Sequence, residues 1–201
     1  MSADDIKKEA AIGFIGPRDA PPACRRARRA PGRALIKLAG AHSASRYVGC
    51  DVLAPTIARA TANAEAPGVA DRVRFEARDV SQGLPAQYDV ITTRDVVHDA
   101  VDPRGLRRTI RQALKPGGIY VCLEINTSHN LEKNAGTLGA MFYSVSVLYC
   151  MTISLAHHGE GLGTVGMHEP RVRQFCRQAG FSEVRLLPHT AVRARVDYPG
   201  Y

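Results

Sequence analysis

Four short runs in this chain each deliver an acid at their C-terminal end: Arg46 to Asp51, Arg72 to Asp79, Tyr88 to Asp95 and Gly118 to Glu124. A carboxylate only accepts hydrogen bonds and can take two donors at once, such as a pair of ribose hydroxyls. In an open α/β sheet, ligands bind just outside the carboxyl ends of the strands. Asp51 and Asp79 are therefore candidate ligand contacts. Each also has a plainer reading: Asp51 as the cap of a helix starting near Ala54, Asp79 as a turn residue. His98 and Asp99 follow the Tyr88 run, where a substrate would lie, and are the candidate catalytic residues. A general base or a substrate contact is one reading of His98; a capping or surface histidine is the other. Glu124 either touches substrate or closes the strand edge. His157, His158 and His168 fall in loops, and no Cys/His set has metal-ligand spacing, so no metal site is expected.

The elements that would position these residues alternate. The chain predicts an α/β fold: a Rossmann-like sheet, mostly parallel with an antiparallel edge, with helices on both faces. Helices are expected at Arg33–Ala39, with Leu35, Ile36 and Leu38 inward, at about Ala54–Glu65, from Pro103 to Gly117-Gly118, and at Glu169–Ala179. Leu106, Ile110 and Leu114 fall at helical spacing. Strands are expected at Arg46–Cys50, around Val73 and Phe75, at Tyr88–Thr92, Ile119–Leu123 and Phe181–Leu187, with a weak last strand at Ala191–Val196. The first 31 residues read as an irregular segment in which Ile6 to Ile15 forms a short helix or strand, and residues 32–201 as one domain.

Within that domain, residues 134–167 form an expected lid or substrate-side insertion. Asn134 to Ala156 carries no charged side chain, and its length would suit a membrane span. Asn134, Thr137, Ser144, Ser146, Thr152, Ser154 and two glycines argue instead for a buried or lid helix, so no span is expected. Met141, Phe142, Tyr143, Tyr149 and Met151 are candidate walls of an apolar acceptor pocket, or ordinary core.

At 201 residues the chain can bury a core as one domain. The net charge of +8 is uneven: Arg18, Arg25, Arg26, Arg28, Arg29 and Arg33 crowd one stretch opposed only by Asp19. Five widely spaced cysteines without a CxxC pair predict reduced, buried thiols in a cytoplasmic protein. The charged N-terminus lacks the apolar core of a secretory signal.

Tyr47-Val-Gly-Cys-Asp51, Phe75-Glu-Ala-Arg-Asp79-Val80, Tyr88-Asp-Val-Ile91, Leu114-Lys-Pro-Gly-Gly-Ile-Tyr-Val121 and Gly180-Phe-Ser-Glu-Val184, in this order, resemble a class I S-adenosylmethionine-dependent methyltransferase over roughly residues 32–187. The likeness is greatest to bacterial enzymes whose catalytic domain follows a winged-helix segment, which is not seen here. The resemblance implies S-adenosyl-L-methionine as cofactor and a small, partly apolar acceptor. It implies that Asp51 takes the ribose hydroxyls, that Val52 and Leu53 lie on the adenine face, and that Asp79 with the Val80 backbone meets the adenine edge. Arg94 would pair with the methionine carboxylate, and Gly32 would be the last glycine of the cofactor loop. A homodimer is an open expectation, and nucleic acid is not the expected partner.

The chain departs from the pattern at one place. The family's first strand ends in an acid and a glycine-rich turn whose backbone approaches the cofactor. The stretch matched to it here is Ala23-Cys-Arg-Arg-Ala-Arg-Arg-Ala-Pro-Gly32, and four unpaired arginines cannot occupy the centre of a sheet. A one-base shift in a GC-rich gene can place an acid and glycines where Cys-Arg-Arg-Ala-Arg-Arg now stands, so a local frame change is expected. Two alternatives to an active enzyme remain: a truncated or frame-altered relative with weak or no cofactor binding, and a nucleic-acid binder using residues 25–33 as a basic arm. The tail after Leu187 departs as well, making a poor apolar strand.

Overall fold

The structure, a computed structural model, describes residues 9–13, 32–187 and 193–199. Seven strands form one sheet in the order β3-β2-β1-β4-β5-β7-β6. Strands β1 (Glu9–Gly13), β2 (Arg46–Asp51), β3 (Val73–Ala77), β4 (Tyr88–Arg94) and β5 (Leu114–Ile125) are mutually parallel. β7 (Arg193–Pro199) runs antiparallel between β5 and β6 (Arg185–Leu187). The expected mostly parallel sheet with an antiparallel edge is present.

Two strands fall where the sequence reading was open. β1 lies within Ile6–Ile15, read as a short helix or strand in an otherwise irregular segment, and it is the middle of the five parallel strands, paired to both β2 and β4. The α/β unit therefore draws on residues before 32, and the central strand is Glu9–Gly13 rather than the arginine-rich stretch. β7 forms along Arg193–Pro199 despite its polar composition, because β5 and β6 both offer it an antiparallel ladder.

Successive strand residues face opposite sides of the sheet, and the core divides accordingly. Tyr47 joins Leu35 and Ala39 of helix α1 (Arg33–Ala41), together with Ala64 of α2 (Ala54–Glu65), on one face. Val48 and Cys50 join Leu106 and Ile110 of α3 (Pro103–Gln112) on the other. α3 starts where Asp102 caps it, accepting from the Gly105 N–H at 2.7 Å, with Pro103 in the first turn. The Lys115-Pro-Gly-Gly turn is absorbed into β5 as a bulge: Tyr88 pairs with Leu114, but Val90 pairs with Ile119.

After β5 the chain forms one continuous 20-residue helix, Thr137–Ala156. It consists of α4 (Thr137–Val145), a π-helical turn (Ser146–Cys150) and α5 (Met151–Ala156). The short α6 (Gly163–Gly166) and α7 (Glu169–Gln178) lead to β6.

Candidate active site

All five parallel strands end on one edge. The chain leaves β1 toward β2 and β3 on one side and returns through β4 and β5 on the other. The topological switch point, where such sheets hold ligands, is at the C-terminal ends of β1 and β4. The residues after β1, including the basic run and its proposed frame change, lie outside the described residues.

On the β2–β3 side stand the residues assigned to the cofactor. Asp51 is buried at the end of β2, and its Oδ1 accepts the Leu53 N–H at 2.8 Å. It does not cap α2: the cap position is Leu53, with no side-chain bond. Val52 and Leu53 are half-buried beside it. Asp79 follows β3 and caps a 3-10 turn, with Oδ1 accepting the Ser81 N–H at 3.0 Å and the Ser81 hydroxyl at 2.6 Å. Val80 is buried in that turn. Arg94 is the last residue of β4 and is half-buried. Gly32 adopts φ 75° before α1, and a Cβ there would lie 2.5 Å from Phe75 Cζ, so a close ring contact as well as the backbone requires glycine. A buried carboxylate, two half-buried apolar residues and a polar turn on the next strand suit an adenosyl group in donor set and position.

On the β4–β5 side the structure builds a buried polar cluster. β4 and β5 run in register to their ends, Arg94 opposite Leu123. That register brings the 3-10 turn after β4 (Val97–Asp99) against Glu124. His98 Nδ1 lies 2.5 Å from Glu124 Oε2, and Glu124 Oε1 accepts the Val97 N–H at 3.0 Å. His98 Nε2 lies 3.3 Å from Asp99 Oδ1. The Cys150 sulfur, from the π turn, lies within 4.8 Å of a His98 ring nitrogen and 3.0 Å from Thr164 Oγ1. Asp95 precedes the cluster at φ 49°, a left-handed conformation that aspartate tolerates better than most residues.

Burial works against a charged imidazole, yet His98 holds its proton well above the ordinary histidine range. Glu124, bonds from Cys150 and Glu124, and the Asp99 charge outweigh the desolvation. A ring nitrogen of His98, a carboxylate oxygen of Asp99 and the Cys150 sulfur lie within 4.8 Å of one another, donor types that metal ions also use. Sequence spacing did not point to this trio, because Cys150 comes from a helix that follows both α3 and β5.

The expected acceptor walls divide. Phe142, Tyr143, Tyr149 and Met151 are half-buried, whereas Met141 is exposed. The helix turns Ser146, Cys150 and Ser154 inward instead. Ser154 Oγ donates to the Ala100 carbonyl at 3.1 Å and accepts the Gly161 N–H at 3.2 Å, which ties α5 to the segment after His98. Glu124 is legible as a strand-end acid and His98 as a candidate, but not the contact between them. Cys150 and Thr164 carried no signal beyond their apolar setting.

Residues 30–120 match the family model of a methyltransferase domain. The chain is 34% identical over 106 residues to the tRNA 5-carboxymethoxyuridine methyltransferase of Escherichia coli, a match covering 51% of this chain and 40% of that enzyme. It is 27% identical over 95 residues to a ubiquinone biosynthesis O-methyltransferase of Cereibacter sphaeroides, covering 47% of this chain and 38% of that one. The matches thus span well under two thirds of these relatives. Among solved structures, an O-methyltransferase family 2 protein from Planctomyces limnophilus in complex with apigenin superposes with a TM-score of 0.70 at 19% identity, covering 96% of this chain and 50% of that one. The chain is thus similar in fold, and over residues 30–120 in sequence, to S-adenosylmethionine-dependent methyltransferases, whose cofactor is S-adenosyl-L-methionine.

Proposed function

We propose that the chain transfers a methyl group from S-adenosylmethionine to a hydroxyl oxygen of a small, partly apolar acceptor, with His98 as the general base. The observation that carries this reading is the buried His98–Glu124 pair at the same sheet edge as the cofactor residues. Two of the relatives above are called O-methyltransferases, which supports an oxygen acceptor.

Asp51 would hold the ribose, Val52 and Leu53 the adenine face, Asp79 and Val80 its edge, and Arg94 the carboxylate. The bound cofactor supplies an electrophilic methyl carbon on a sulfonium. Glu124 fixes the imidazole by accepting at Nδ1, and the Val97 N–H fixes Glu124. That arrangement leaves Nε2 to take the acceptor's proton once His98 is neutral. With its proton on Nε2, the acceptor oxygen would be the nucleophile for the methyl group that the cofactor would supply, and the cofactor would leave as a neutral thioether. Asp99 and Cys150 now flank the imidazole, so the acceptor reaches Nε2 along the inward face of the Thr137–Ala156 helix. Orientation supplies much of the remaining rate.

A methyl-transfer assay with a panel of phenols, carboxylic acids and amines tests this reading. His98→Asn should lower turnover by about 10²- to 10⁴-fold on the hydroxyl acceptor while calorimetric cofactor affinity is kept. Asp51→Ala should weaken that affinity instead. Full turnover by His98→Asn, or no heat of cofactor binding by the parent chain, would refute the proposal.

A further inference from the structure

Side chains with three different donor atoms meet beside His98. A ring nitrogen of His98, a carboxylate oxygen of Asp99 and Cys150 Sγ lie within 4.8 Å of one another. All three residues are buried, between 3% and 8% exposed. Asp99 Oδ1 faces His98 Nε2 at 3.3 Å and accepts no hydrogen bond among the described residues. A buried carboxylate oxygen without a hydrogen bond calls for a cation beside it.

We propose that His98 Nε2, Asp99 Oδ1 and Cys150 Sγ form a zinc site whose occupation stops methyl transfer. Imidazole, carboxylate and thiolate are the ligand types of protein-bound zinc, and a set of three leaves the fourth tetrahedral position open. Calcium and magnesium take oxygen ligands and have no use for the sulfur. The surroundings suit the same ion. Glu124 Oε2 lies 2.5 Å from Nδ1, so Nε2 is the nitrogen left for a metal, and a carboxylate behind a histidine ligand orients the ring and raises its basicity. Thr164 Oγ1 lies 3.0 Å from Cys150 Sγ and can donate to a thiolate. Cys150 ends a π-helical turn, Ser146–Cys150, a distortion frequent at functional sites.

The loss of activity rests on the reading of His98 as the base, because zinc and the acceptor's proton use one nitrogen. On coordination the imidazole and the thiol give up their protons to solvent, and Nε2 keeps no lone pair for the acceptor. Zinc enters along the inward face of the Thr137–Ala156 helix, the acceptor's own path. Once bound, it ties that helix to the turn after β4 through Cys150 and His98.

Cobalt(II) titration of the chelator-treated full chain, in a Cys24→Ser background, tests the site without reference to turnover. One equivalent should give the thiolate–cobalt charge-transfer absorption, and zinc should displace it. Cys150→Ser should abolish the band, whereas Cys176→Ser, at a buried cysteine on α7, should keep it. Asp99→Asn and Glu124→Gln should each weaken zinc binding at least about tenfold in calorimetry. One equivalent of zinc should abolish methyl transfer by the metal-free chain, and a chelator should restore it. No band, or a band that survives Cys150→Ser, would overturn the site. Turnover unchanged or raised by bound zinc would overturn the inhibition. A metal-free chain that shows the Cys150-dependent band but turns over no acceptor would count against His98 as the base and still establish the zinc site.

Discussion

His98 Nδ1 and Glu124 Oε2 stand 2.5 Å apart, with 5% of the histidine and 2% of the glutamate exposed. The two residues belong to different elements, the turn after β4 and the end of β5, and the in-register parallel pairing of those strands joins them. Because Glu124 also accepts the Val97 N–H, its carboxylate cannot swing away from the imidazole without stranding a buried backbone donor.

This pair sets a pH dependence whose sign follows from the raised His98 value. The folded state keeps a proton that the unfolded chain releases at an ordinary histidine pKa of about 6.5. The resulting stability is fully present below that pH and is lost as pH rises through the folded value. His168 is shifted the other way, by burial and then by Arg171 and His129, so its effect lies below about pH 6.5 and is separable. The thermal midpoint should therefore fall as pH is raised above neutrality, and Glu124→Gln should flatten that decline. A midpoint that climbs across the same range would contradict the assignment. Turnover should move oppositely, rising with pH as His98 is freed to accept a proton.

One ring fills the space above two glycines. A Cβ on Gly49 would lie 2.5 Å from Phe75 Cδ1, and one on Gly32 2.5 Å from Phe75 Cζ. Gly49→Ala should cost about 1–3 kcal/mol in urea unfolding, the range for overpacking. Phe75→Leu should rescue part of that loss, so the double variant should be more stable than the sum of the single ones. Strict additivity would show that the ring is not what excludes the methyl group.

The sequence made the strands with acidic ends legible, because β2, β3 and β4 are apolar runs each closed or soon followed by a carboxylate, with a helix between β2 and β3 and a turn between β3 and β4. It made β1 hard to place: Glu9-Ala-Ala-Ile-Gly13 is too short to show a period, and its pairing to β2 and β4 is decided by residues distant in the chain. β7 was obscured for a similar reason, since two neighbouring ladders outweigh a weak local preference. In the site, His98 and Glu124 were visible singly, but their contact depends on register, which composition does not report. The helix over Thr137–Ala156 was legible as uncharged, but not as apolar outward. Only the contacts of Ser146, Cys150 and Ser154 decide which stripe faces in.

Arg107 is fully buried on α3, and its Nε and Nη1 have no hydrogen-bond partner among the described residues. Its Nη2 lies 3.8 Å from Cys122 Sγ, and its guanidinium stands 5.6 Å from the centre of the Phe175 ring. Burial pushes the Cys122 thiol up to about 11, so it stays neutral near pH 7 and is no counter-ion. The Glu124 charge favours the guanidinium against its burial, but a buried charge with two donors unpaired is often less stable than an apolar residue of similar length. Arg107→Met should be neutral or stabilising by up to about 4 kcal/mol, whereas Arg107→Ala should lose about 2–5 kcal/mol to the cavity. Denaturant midpoints of the two variants decide the matter, and a Met variant as damaged as the Ala variant would show that the guanidinium charge itself is needed.

Thiol labelling reads the opening of the Thr137–Ala156 helix directly. Cys50 and Cys122 are both pushed up to about 11, first by burial, and Cys176 is raised for the same leading reason. A protonated, inaccessible thiol reacts with a disulfide reagent only when the protein opens. Cys50 and Cys122 sit in strands of the sheet, whereas Cys150 sits in the π turn of a helix whose outward residues Met141, Val145, Leu148 and Leu155 are exposed. In a Cys24→Ser background at pH 7.5, Cys150 should therefore label first, with Cys50 and Cys122 following only as the whole domain unfolds. Mass spectrometry of quenched samples gives the order. Equal rates for Cys150 and Cys122 would mean that the helix opens only with the sheet, and that the acceptor must reach His98 by a path that leaves Cys150 in place.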